Sequence, residues 1–219
     1  MKTPTINPDE MLKSMAAEAV KQHKQIRTTI RDLTLQALQM RELSLKQINS
    51  VVRKVTEGVN VGVGDSKIDV EKTLSDALAG MDEALLKVVE ANEVALQKLT
   101  EGGASFEDSS VKKGLKELEA FEEKFLDGVK QAAQDASGRT KEQWKSILDN
   151  IPRGGTETGA QVKETLSAHA REVQAAMRSS REAGFKVMHA LTQNYATLVS
   201  GVLIGLSEAL EHGKPKNNR

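Results

Sequence analysis

The chain of 219 residues contains no cysteine. Disulfides, thiolate metal sites and a cysteine nucleophile are therefore excluded. Aromatic side chains make up 3% of the residues, with a single tryptophan and a single tyrosine. That is too few for a base-stacking platform or a large aromatic-lined pocket. Charge of one sign is missing too: 31 basic residues balance 31 acidic ones. A nucleic-acid binder normally carries a basic excess that releases counterions, so no nucleic-acid partner is expected. Long apolar runs are also lacking. The longest uncharged stretch, Ala190 to Leu206, is interrupted by Gln193, Asn194 and Ser200. Its strongly apolar part, Tyr195 to Leu206, falls short of the roughly 20 residues that span a bilayer. Met1 to Val20 has no apolar signal core and carries Asp9, Glu10 and Glu18, so a soluble, cytoplasmic protein is expected.

Catalytic patterns are missing as well. The residues three before the four histidines are Val20, Leu166, Lys186 and Ala209, which removes the Glu-x-x-His pairs of a di-iron bundle. The glycine-rich stretch Gly58 to Gly64 lacks the Gly-Lys-Ser/Thr of a phosphate loop, and no strand pattern precedes it. No Gly-x-Ser-x-Gly elbow occurs. No catalytic residue, cofactor, metal ion or small-molecule substrate is expected, and the chain reads as a non-enzyme.

What is present is helical periodicity. Leu12, Ala16, Ala19, His23, Ile26, Ile30, Leu33, Ala37 and Met40 alternate steps of four and three, a heptad seam. Asn7-Pro8-Asp9-Glu10 opens it with a cap residue, a first-turn proline and acids that suit the macrodipole. Ser44 and Gln47 form a capping box, which marks a kink or a fresh helix. Gly58 to Ser66 reads as a loop. Similar reasoning predicts helices over 8–41, 44–57, 67–101, 106–136, 140–149 and 157–212, with a disordered polar tail over 213–219. The last would be about 80 Å long at 1.5 Å per residue. The expected fold is all-α: an elongated bundle of long antiparallel amphipathic helices joined by glycine-rich loops, with coiled-coil-like packing. Leu35, Leu43, Leu45, Leu86 and Val89 lie beside the seams, a surplus that calls for several neighbours per helix.

Three polar residues fall on seam positions: His23, Asn92 and His169. Their expected role is to fix helix register from within the core. Basic residues crowd Lys21 to Lys54 and acidic ones Glu101 to Asp127, so these stretches are expected to pack side by side. In Tyr195 to Leu206 apolar residues go all round the helix. Such a segment is either covered by neighbouring helices or a sister subunit, or meets an apolar ligand; Tyr195, Leu198, Val199, Val202, Leu203, Ile204 and Leu206 are the candidate apolar contact surface.

Long alanine-rich amphipathic helices without cysteine resemble the phasins, proteins that coat polyhydroxyalkanoate storage granules in bacteria. The stretch Val89-Glu-Ala-Asn-Glu-Val-Ala-Leu-Gln-Lys-Leu99 and the stretch Val173 to Leu191 carry the likeness. It covers most of the chain in texture and transfers no residue role. It implies a non-enzymatic coat of an apolar granule or lipid surface that self-associates into a homo-oligomer. Two other classes fit the same helices: a coiled-coil scaffold or signalling-type bundle that binds partner helices, and a membrane-active helical protein.

Overall fold

The computed structural model describes residues 7–22, 25–41, 43–64, 68–101, 109–151, 155–179 and 199–206. Among them every regular element is a helix: α1 (Pro8–Lys21), α2 (Ile26–Gln39), α3 (Leu45–Gly64), α4 (Val70–Glu101), α5 (Ser109–Glu119), α6 (Phe121–Asp135), α7 (Gly138–Asp149) and α8 (Glu157–Ser179). A further helical segment covers 199–206. The fold is an all-α helical bundle held by many contacts distant in sequence.

The start signals act locally as their chemistry requires. Asn7 Oδ1 accepts from Asp9 N at 3.0 Å, with Pro8 in the first turn of α1. Ser44 Oγ accepts from Gln47 N at 3.3 Å ahead of α3. The expected single helix 8–41 is corrected to α1 and α2. Gln25 adopts φ 49°, a left-handed conformation that turns the chain back. Arg41, just past α2, returns to Asp9 at the start of α1, with Nη2 to Oδ1 at 2.5 Å. Register changes across the turn. α2 buries Ile26, Ile30, Thr34 and Leu38, so the expected seam residues Leu33 and Ala37 are half-buried at the edge of the core and Met40 is exposed.

The expected loop over 58–66 is corrected too, because α3 continues to Gly64. These glycines let helices approach instead of ending them. A Cβ on Gly58 would collide with the Lys13 carbonyl oxygen and lie 2.7 Å from Ala16 Cβ; one on Gly62 would lie 2.6 Å from Val20 Cβ. The expected helix 106–136 is bent at Ala120 into α5 and α6, with Lys124 N still donating to Ala120 O at 3.1 Å. α7 begins at Gly138, φ 51°, two residues before the expected start at 140. The tail 213–219 lies outside the described residues.

The helices form two layers. α1, α3 and α6 run parallel in one: Lys54 Nζ lies 3.9 Å from Glu10, and α3 donates from Asn49 Nδ2 to Lys124 O and from Asn60 Nδ2 to Ala132 O. α2, α4 and α8 make up the other, oriented the opposite way. Arg27 and Arg31 of α2 engage Glu83 of α4, and Thr158 and Thr165 of α8 bond to Asp82 and Glu93. Over α1 to α4 sequence neighbours are thus antiparallel, but the closest packing is parallel and within a layer: α1 on α3, α2 on α4, α3 on α6 and α4 on α8. The expected helical bundle thus combines antiparallel chain neighbours with parallel in-layer ones. It also uses the apolar surplus: Leu43 and Val89 are buried, and Leu35 and Leu45 pack partly buried against the core. α7 folds back along α6, where buried Trp144 donates to Asn60 Oδ1 at 2.7 Å. The basic and acidic stretches do meet at α3 and α6, but asparagine-to-carbonyl bonds and Gly128 make that contact, with Arg53–Asp135 at 3.5 Å as the ion pair between the two helices among the described residues.

A straight helix over 157–212 is excluded. Thr165 Oγ1 lies 3.4 Å from Glu93 Oε2, while Val199 lines a small cavity together with the adjacent Asn92, Leu43 and Phe121. Thirty-four helical residues would separate those two points by about 50 Å. Both sit at one level of α4, so the described parts 157–179 and 199–206 are not two stretches of one straight helix of about 80 Å.

Candidate docking face on α1 and α2

α1 and α2 stand at one end of the two layers, each with an in-layer neighbour on one side only among the described residues. α1 turns Leu12, Ala16, Ala19 and Val20 inward. Met11 and Met15, one turn apart, fall beside that stripe and are 48% and 42% exposed. Opposite them α2 presents Leu33, Ala37 and Met40, the last 76% exposed. Together they line an open groove of about 450 Å³. The exposed methionines, at helical spacing and flanked by half-buried Leu33 and Ala37, are what a further helix would ordinarily bury. Methionine suits such a face because its unbranched thioether adapts to the shape of a partner.

The polar rim of the groove is self-contained. Asp9 and Arg41 pair with each other across its mouth. Glu10 faces Lys54. Next to α1, Glu57 gathers Lys54 at 2.8 Å, Arg53 at 3.0 Å and Lys13 at 3.7 Å. Burial pushes the Glu57 carboxyl up, but the bond from Lys54 and the charges of Lys54, Lys13 and Arg53 outweigh it and hold the group below its ordinary value of 4.5. The groove lining itself holds one acid and one base, Asp9 and Arg41, paired with each other, so it offers apolar area without net charge.

The residues singled out from the sequence are placed as follows. Val199 and Leu203 are buried in the core, Val202 and Leu206 are half-buried against it, and Ile204 is exposed. The segment 199–206 thus turns part of the expected contact surface inward; Tyr195 and Leu198 lie outside the described residues. Asn92 is buried, and its Nδ2 donates to Val88 O of its own helix at 2.7 Å. His23 lies outside the described residues, as does the side chain of His169 in α8. Among the described residues no group of three or more histidines, aspartates or glutamates is placed to hold a metal ion. No helix there is long and apolar enough to cross a membrane. The methionine face was missed in the sequence because Met40 follows the seam spacing. The signal available was Met11 and Met15, an i, i+4 pair lying off that seam.

No curated protein and no solved structure matches the chain. A family model does match, over residues 1–212, and by that match the chain belongs to the Family of unknown function (DUF6781).

Proposed function

We propose that the protein is a non-enzymatic, cytoplasmic docking protein that binds an apolar helical partner through the α1–α2 face. The observation that carries this reading is the uncovered groove with Met11, Met15 and Met40 at the end of the stack. A concave groove between two helices fits the apolar side of a third helix. The phasin-like coat of a granule or lipid surface is the second reading. It is favoured by exposed Ile204, set between Gly201 and Gly205, around which a Cβ would meet nothing.

The test uses the full chain and Met11→Glu/Met40→Glu, both exposed positions whose replacement spares the core. Each protein is mixed with polyester granules, with anionic vesicles and with a labelled amphipathic leucine-rich helix, then assayed by sedimentation or by fluorescence anisotropy. Binding of the helix probe that falls at least tenfold in the double variant supports docking through α1–α2. Pelleting with granules to an equal extent by both proteins supports the coat and moves its contact to 199–206. Leakage of the vesicles would point to a membrane-active protein instead. An Asp at Val202 or Leu203 is a poor probe, because Leu203 is fully buried and its replacement would unpack the segment.

A further inference from the structure

We infer that the partner of the α1–α2 face is a second copy of this chain, hairpin packed on hairpin about a twofold axis. This rests on the reading that the face is a docking surface, and it names the occupant.

Three observations support it. First, the stack is open there. α3 and α4 have an in-layer helix on each side, whereas α1 and α2 lack the outer one among the described residues. Repeated helical layers leave a terminal apolar face that must be capped or joined. Second, α1 and α2 run antiparallel, with Arg41 back at Asp9. A twofold axis lying in the contact plane and parallel to these helices brings α1 of each copy antiparallel against α2 of the other. Met11 and Met15 of one copy then meet Ala37 and Met40 of its mate, completing a four-helix bundle. Third, a face can dock on itself only if it does not repel itself. The two charged residues that line it, Asp9 and Arg41, are neutralised within one copy by pairing with each other. A patch of one sign would have opposed its own image.

The groove follows α1 from Asn7 to Met15 and α2 from Leu33 to Met40, about two turns or 12 Å of helix. That is a small contact, at the lower end of specific interfaces, so the dimer is expected to exchange at micromolar concentrations.

The test is sedimentation velocity of the full chain from about 1 to 200 μM, with Met40→Glu and Met11→Glu/Met40→Glu alongside. The expected result is a monomer–dimer equilibrium in the parent chain and at least a tenfold weaker dimer in the double variant, with unchanged circular dichroism. Single cysteines add a geometric readout, because the chain has none of its own. Met11→Cys and Met40→Cys, mixed and oxidised, should give a disulfide heterodimer that Ile204→Cys does not give with either. A parent chain that stays monomeric at 200 μM overturns the inference. So does a dimer that survives Met11→Glu/Met40→Glu, or cross-links equally frequent at Ile204→Cys. A monomer that still binds the labelled helix through α1–α2 would sink the self-pairing alone and leave the docking reading standing. Loss of both signals would remove the two together.

Discussion

Glu57 shows how one carboxylate can join two helices. Its side chain is 13% exposed and reaches Lys54 and Arg53 on its own helix and Lys13 on α1. Because its folded-state value is depressed below 4.5, its contribution is fully present above the unfolded value and is lost as pH falls through the folded one. Stability should therefore be level from pH 7 to about 5 and decline below 4.5. In Glu57→Gln that acid decline should be shallower, and at pH 7 the variant should be about 1–2 kcal/mol less stable, the scale of a partly buried charge-assisted contact. Urea unfolding at pH 7 and pH 3.5 checks both. Equal loss in parent and variant at the lower pH would remove Glu57 from the account.

The glycines of α3 divide into two kinds, and the element shows why. Gly58 and Gly62 lie against α1, where the Ala16 and Val20 Cβ atoms approach too closely for an added methyl. Gly64 meets nothing within 4 Å. Helix propensity favours alanine at all three by about 1 kcal/mol. Overpacking opposes it at the first two by about 1–3 kcal/mol. Gly58→Ala and Gly62→Ala should lower the melting temperature, and Gly64→Ala should hold or raise it. A rise at Gly58 would mean that α1 can move away freely. The same contacts explain why a glycine-rich stretch expected as a loop is helical: once α1 packs on it, the missing side chains are an advantage. A sequence in isolation shows the entropy cost of glycine and not the neighbour that offsets it. Likewise, Gln22-His-Lys-Gln25 contains neither proline nor glycine, so the turn that divides α1 from α2 leaves no mark in the periodicity. The starts at Asn7 and Ser44, by contrast, are legible, because a cap acts within three residues.

Across the whole molecule, attachment is uneven. α3 buries Ile48, Val51, Val52, Val55, Val59 and Val63. Over 157–168, where its side chains are described, α8 buries only Thr158, Gly159, Val162 and Thr165. Its start is instead fastened by carboxylates from two other helices. Asp82 Oδ2 accepts from Glu157 N at 3.0 Å, Asp82 Oδ1 from Thr158 N at 3.2 Å, and Glu122 Oε1 from Thr156 N at 2.8 Å. Negative charge at a helix N-terminus is favourable, yet apolar burial there is modest. α8 should therefore open before the rest. In Asp82→Asn/Glu122→Gln, amide exchange over 157–168 should speed about 10- to 100-fold, the effect of losing charge-assisted bonds. Exchange in α3 should stay unchanged. Uniform acceleration across α3 and α8 would show that α8 opens only with the whole fold.

The sequence by itself determined the helical class, the main helix starts at Asn7 and Ser44, and the need for several neighbours per helix. Those follow from local capping and from apolar spacing along one chain, which require no knowledge of a partner. The tertiary structure decided which faces are covered. It turned Val199 and Leu203 inward and left Met11, Met15 and Met40 outside. It brought Val199 and Thr165 to one level of α4 and set α1 beside α3 and α2 beside α4 in parallel. The physical reason is that apolar spacing says a helix has a face to bury, but only the packed neighbours determine which apolar face remains uncovered.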